Sequence, residues 1–282
     1  MSPTPPLFLA SIGNPPPRWH KTLHSAGHIL LRILSQHLKA PLQPLSPYSI
    51  PSHPPPRDYP GPYTARAQLP NSDTHLTLWQ SPTVMNVSGP TLVRAYEKWC
   101  AQNGGRGPIV GAVANANASI TNPDRQKDNA RDESNSIPLN LILLHDDLEL
   151  SPGKLSVRRG GASLSARGHN GVKSVVNSLV KAGMLASTRG AGKEKGTGVG
   201  MSGILGAGSS ASAFDPTRFQ LTRIGVGIGR PASREPAEVA EYVLGRMPDR
   251  QVEVTEGLVG KLVEILKKEA EMIRGKLRGD IE

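Results

Sequence analysis

Short apolar runs alternate along the chain with longer stretches of helical spacing. Leu7 to Ile12 is a compact apolar run halted by Gly13-Asn14-Pro15, which reads as a buried strand ending in a turn. From Gly27 to Leu38, apolar residues recur at Ile29, Leu30, Ile33, Leu34 and Leu38, the stripe of a helix packed on one side. His75 to Gln80 alternates through Leu76 and Leu78 as a strand does. Ser88 to Cys100 returns to helical spacing, with Leu92, Val93, Tyr96 and Trp99 on one side. Leu139 to Leu144 is the clearest buried-strand signal, and it runs directly into His145-Asp146-Asp147. Lys154 to Arg159 is predicted as a strand, and Gly171 to Val180 as a helix through Val172, Val175, Val176 and Leu179. Arg223 to Gly229 reads Arg-Ile-Gly-Val-Gly-Ile-Gly, a strand crowded by another backbone. From Glu238 onward two helical stretches are predicted, divided at Met247-Pro248.

Strands interleaved with helices predict a single α/β domain over residues 7–282, with a mixed, mostly parallel twisted sheet flanked by helices on both faces. Three stretches lack the pattern of a packed element. Residues 40–70 are Pro-rich; sixteen of the 26 prolines lie in the first seventy residues, which excludes regular helix or central strand there. Residues 103–138 are polar and charge-balanced, and residues 181–215 hold nine glycines. All three are expected to be flexible insertions.

Composition agrees with this division. Hydrophobic residues make up 37% of the 282 and aromatics 4%, while 30 Gly and 26 Pro account for about a fifth. No apolar run approaches the about 18 residues that span a bilayer, so no membrane partner is expected. Met1 to Pro6 carries neither a secretory pattern nor the Arg-rich pattern of a transit peptide. The single cysteine, Cys100, excludes an intramolecular disulfide and a Cys-based metal cluster, and an intracellular compartment is expected.

The net charge is +10, which suits a polyanionic partner, although many basic proteins bind no nucleic acid. The distribution says more. From Ser151 to Ala182 there are six basic residues (Lys154, Arg158, Arg159, Arg167, Lys173, Lys181) and no acidic one. A solvated helix face normally mixes signs, so this stretch is read as a phosphate-facing patch.

Several polar residues stand where α/β proteins place their ligands, at strand ends and helix starts. Asn14 follows the first strand, although a lone turn Asn more often bonds only its own backbone. His24 stands just before the first helix. A helix entrance should push its pKa down and favour the neutral imidazole that a general base must be. Asn86 lies between a strand and a helix, Asp146 and Asp147 end the central strand, and Asn170 opens a helix.

In order, these segments read Gly-Asn-Pro, His-x-Ala-Gly, Met-Asn-x-Ser-Gly, His-Asp-x-Leu-x-Leu-x-x-Gly and Gly-His-Asn-Gly. Each is weak alone. Together they resemble the bacterial-type peptidyl-tRNA hydrolases, including the ten-residue step from Asn14 to His24. Lys173-Ser174, the Arg223 to Pro231 strand and Val243-Leu244-Gly245 continue the likeness. The resemblance implies cleavage of the ester joining a peptide to the 3′ ribose of tRNA. By motif, His24 would be the general base and Asp146 the carboxylate that orients it. Asn14 and Asn86 would hold the peptide backbone and ester carbonyl, and Asn170 would position substrate or water. Arg158, Arg223 and Lys173 would meet the tRNA, the two arginines at its terminal phosphate. No metal and no cofactor is implied, and a monomer is expected.

The chain departs from that pattern at Leu23, Ser25, Pro16, Pro17 and Val84, and in a longer loop, Ala162 to Arg167. The insertions point to a eukaryotic, fungal member, working in the mitochondrion or the cytoplasm. The competing reading is a non-catalytic RNA-binding protein on the same fold, such as an organellar splicing factor. A dinucleotide-binding enzyme is set aside, because the Gly225-Gly227-Gly229 run meets Pro231 instead of opening a helix.

Overall fold

The computed structural model describes residues 5–15, 21–44, 63–103, 140–161, 164–166, 168–186 and 219–278. In chain order the elements are β1 (Leu7–Ser11), α1 (Ala26–His37), β2 (Gln43–Pro44), β3 (Tyr63–Gln68), β4 (His75–Gln80), α2 (Ser88–Gln102), β5 (Leu141–Asp147), β6 (Leu155–Gly160), α3 (Asn170–Lys181), β7 (Leu221–Gly227), α4 (Pro236–Leu244), α5 (Asp249–Glu256) and α6 (Val259–Arg278). The strands form one sheet in the order β2-β3-β4-β1-β5-β7-β6. Its centre, β4-β1-β5-β7, is parallel, and the pairings at both margins are antiparallel. This is the mixed sheet that the pattern predicts, parallel in three of its six pairings.

Both faces of the sheet are covered, so the central strands are apolar throughout instead of alternating with polar residues. Leu7, Leu9, Ile142, Leu144, Ile224 and Val226 pack with α1 and α6 in a largely aliphatic core. Phe8, Ala10, Leu141, Leu143 and Leu221 face the other way, against α2 and α3, with Trp79, Tyr96 and Trp99. Each fully buried leucine or isoleucine contributes about 1.5–3 kcal/mol of transfer free energy. The two layers therefore hold the sheet rigid beneath its C-terminal edge. Helix α1 comes closest at Gly27, where a Cβ would sit 2.8 Å from the Leu144 carbonyl oxygen.

Two expectations are corrected. The stretch 40–70 is not one irregular insertion, because it supplies β2 and β3, and β3 pairs along its whole length with β4. Its prolines are mostly upstream of Tyr63, and Pro44 sits on the margin strand, where a missing N–H costs least. Secondly, the C-terminal region forms three helices, since the run after Pro248 breaks again at Gly257-Leu258 between α5 and α6. Of the other two expected insertions, residues 104–138 and 187–215 lie outside the described residues. Among the described residues, no helix is long and apolar enough to cross a membrane.

Candidate active site

The parallel strands all point their C-terminal ends at one edge, and the candidate residues gather there. Beyond β1 the chain runs through Gly13 to Asn14; beyond β4 it reaches a 3-10 turn, Met85–Val87, that carries Asn86. Asp146 is the penultimate residue of β5, and Asn170 opens α3. His24 lies in a 3-10 turn, Leu23–Ser25, immediately before α1. That turn is strapped to the α4–α5 connection. Leu23 donates its amide to the Gly245 carbonyl at 3.0 Å, and the Met247 amide donates to the Lys21 carbonyl at 2.8 Å.

Asp146 is the hub. Its Oδ2 lies 3.0 Å from His24 Nδ1, and its Oδ1 lies 2.9 Å from His169 Nε2. The tautomers follow from the other contacts. His169 Nδ1 accepts the Val172 amide at 3.2 Å, capping α3, so the neutral ring carries its proton on Nε2 and donates it to Asp146. The second carboxylate oxygen accepts from His24 Nδ1, which leaves His24 Nε2 as the lone-pair nitrogen. Burial alone would raise the Asp146 pKa. The flanking His169 and His24 rings and their hydrogen bonds outweigh it, holding the carboxyl below the usual range.

The pKa of His24 runs against expectation. Burial lowers it, but the charge and hydrogen bond of Asp146 more than offset that, and the net displacement is upward. A carboxylate in contact acts more strongly than the partial charge of a helix start. His145, behind His169, is pushed down to about 4, by burial first and then by His169. His24, Asp146 and His169 also offer ligand atoms within 4.8 Å of one another, so of the described residues they are the ones able to hold a cation. An ion there would have to displace the proton now held in each carboxylate–imidazole pair.

Asn14 is buried, and its Oδ1 accepts the Met85 amide at 3.1 Å. Its side-chain NH2 is thereby the end that can donate to a ligand. Asn86 and Asn170 are exposed at the rim, and Lys173 Nζ donates to Asn170 Oδ1 at 3.3 Å. Asn14, His24, Asn86, Asp146, Arg158, Asn170 and Arg223 all line one cleft of about 570 Å³, whereas Lys173 lies beside it. Arg158 and Arg223 stand directly opposite each other on β6 and β7. Arg223 is buried and donates to the Ser165 carbonyl at 3.3 Å. Arg159, from the same basic stretch, is spent on structure: it pairs with the fully buried Glu269 of α6, which also accepts from Thr222.

His169 was missed as a site residue by sequence reasoning. The available signal was its position just before a helix, where an imidazole can cap with one nitrogen and still present the other.

A family model described as peptidyl-tRNA hydrolase matches residues 129–212, the stretch carrying Asp146, Arg158, His169 and Asn170. Over that stretch the chain is similar to the peptidyl-tRNA hydrolase family. The peptidyl-tRNA hydrolase of Geobacillus kaustophilus is 33% identical over 111 residues, 39% of this chain and 37% of that protein. That of Leptothrix cholodnii is 22% identical over 262 residues, covering 93% of this chain and 80% of the relative. The matched segment thus spans little more than a third of the first of these relatives. In fold, the chain is similar to crystal structures of peptidyl-tRNA hydrolase from Acinetobacter baumannii. One of them superposes with a TM-score of 0.54 at 17% identity, covering 99% of this chain and 94% of that one.

Proposed function

We propose that this chain hydrolyses the ester between a peptide, or an N-blocked aminoacyl group, and the 3′ ribose of tRNA, releasing free tRNA. The observation that carries the reading is the His24–Asp146 pair at 3.0 Å on the wall of the cleft, with Nε2 of His24 left to accept a proton. His24 takes a proton from a water whose oxygen attacks the carbonyl carbon, and Asp146 stabilises the imidazolium that forms. The ester carbon–oxygen bond then breaks. The leaving 3′ oxygen collects the proton, and the products are a peptide carboxylate and a free ribose hydroxyl. Asn14 donates to the carbonyl through its NH2, and Asn86 and Asn170 hold the peptide main chain and the water. Neutral amides both donate and accept, which suits a site that must take any peptide. Arg158 and Arg223 face the tRNA's terminal phosphate, and Lys173, beside Asn170, meets the tRNA outside the cleft. No metal takes part in this scheme, so a chelator should leave the rate unchanged.

An RNA-binding scaffold without chemistry has no use for a buried carboxylate holding two imidazoles at the end of its cleft. The same reading makes the chain a monomer of the mitochondrion or cytoplasm, open to test by sedimentation and cell fractionation. The deciding experiment is release of an N-blocked amino acid from its tRNA by the wild type beside His24→Ala. Turnover by the wild type and its loss in the variant are expected. Tight tRNA binding without turnover by the wild type would favour the scaffold.

A further inference from the structure

Ser25 occupies the N-cap position of α1, where a serine side chain ordinarily accepts a hydrogen bond from the first turn of its own helix. Here it makes no such cap. Its hydroxyl, fully buried at 0% exposure, turns instead to Asn14. It accepts the Asn14 amide at 3.1 Å and donates to the Asn14 carbonyl at 3.3 Å. The Thr22 hydroxyl stands 3.4 Å away on the other side. One side chain thus meets both main-chain polar groups of Asn14. A local rule that the chain breaks in this way marks a position under functional constraint.

We propose that Ser25 is a positioning residue that fixes Asn14 relative to His24. The two site residues sit on different segments, Asn14 beyond β1 and His24 before α1, and Ser25 is the covalent neighbour of His24. The clamp therefore ties the distance between carbonyl donor and base to one peptide unit. It acts on the Asn14 backbone, while the Met85 amide holds the Asn14 side chain. Without the hydroxyl, the buried Asn14 amide and carbonyl would each lose a partner, and the turn would move to recover them. A displacement of about 1 Å at a substrate-holding group costs on the order of a hundredfold in rate.

This inference rests on the proposed hydrolase reading, and its test separates the two. Ser25→Ala should lower kcat/KM by about ten- to a hundredfold. The acid limb of the pH–rate profile should stay put, because burial and the Asp146 carboxylate set the His24 pKa and Ser25 carries no charge. Ser25→Cys, close in size but a poor hydrogen-bonding partner, should match Ser25→Ala; restored activity would show that packing was the issue and overturn the proposal. In the cycle with Asn14→Ala, the double variant should be no slower than Asn14→Ala alone. Additive losses would likewise overturn it. Amide exchange at Asn14, read by NMR, needs no turnover: protection should fall in both Ser25 variants. Unchanged protection defeats the clamp even if the enzyme reading stands, and reduced protection upholds it even if the wild type proves inactive.

Discussion

The two ends of the cleft are built on opposite principles. At the proposed catalytic end the polar groups have protein partners: Asp146 accepts from His24 and His169, and Asn14 holds Met85 and is held by Ser25. If the proposed reaction takes place there, that end is organised before substrate arrives and its electrostatics cost no rearrangement. At the basic end, Arg158 and Arg223 face each other across β6 and β7, and like charges directly opposed on a sheet destabilise it. Their separation from solvent differs too, since Arg223 is buried and Arg158 only half-buried. The first end is complete as it stands, and in the proposed reading the second takes the phosphate of the tRNA. The difference teaches that rate and affinity should be separable by mutation.

The largest effect should come from breaking the organised end. His24→Ala is expected to lower kcat by a factor on the order of 10²–10⁴ while tRNA binding stays nearly intact. Near-normal turnover would remove His24 from the chemistry. Asp146→Asn comes next, with a loss of about ten- to a hundredfold or more, because an amide holds the imidazole poorly and in the wrong tautomer. It also changes the pH profile in a stated direction. Asp146 raises the His24 pKa, and only the neutral ring acts as base, so the wild-type rate falls as pH drops through that raised value. Without the carboxylate the limb should move to lower pH. A limb that stays or moves upward would show that another group sets it.

At the basic end, neutralising Arg158 and Arg223 together should weaken tRNA binding by about tenfold or more. It should also flatten the salt dependence by up to about one unit of log–log slope for each phosphate that is no longer neutralised. Hydrolysis of a blocked aminoacyl ester of a lone nucleoside, which lacks the phosphate, should change little. Equal losses on both substrates would erase the distinction between the two ends.

Much of this arrangement was legible in the chain. The apolar runs at Leu7, His75, Leu139 and Arg223 located the four central strands, because strands buried on both faces declare themselves without needing partners. The gathering of the candidate residues at one edge was legible for a related reason: they sit at strand ends and helix starts, where turn residues punctuate the pattern. What escaped was set by neighbours distant in sequence. The edge pairing of β3 with β4 depends on a partner and not on local composition, so proline density hid it. The upward displacement of the His24 pKa arises from a carboxylate 122 positions away. His169 was only a letter of the Gly-His-Asn-Gly motif until that same carboxylate stood beside it, and Arg159 joined the basic patch until buried Glu269 claimed it. In each case the local signal was right about the element and silent about the partner.

The smallest expected effect is also the one that sharpens the assignment of the acid limb. His28 lies one turn beyond His24, fully within the core, with Nδ1 2.8 Å from the Ser11 hydroxyl and its ring against Gly13. A Cβ at position 13 would come within 2.7 Å of that ring, so the Gly-Asn-Pro turn needs its glycine. Burial first, and the Arg32 charge second, push the His28 pKa down to about 3. The sign for stability follows. Between about 3 and the unfolded value near 6.5, the unfolded chain binds the extra proton, so stability falls as pH drops below about 6.5. The contribution of one such group approaches about 1.4 kcal/mol per pH unit, worth roughly 2–4 °C in Tm. His28→Gln should therefore lose less Tm than the wild type between pH 7 and pH 5.5, whatever it costs at neutral pH. Its pH–rate limb should not move, since His28 touches neither Asp146 nor the cleft. If the limb moved with His28, the catalytic titration would belong to the core beneath the site, and the organised end would not be tuned by Asp146 at all.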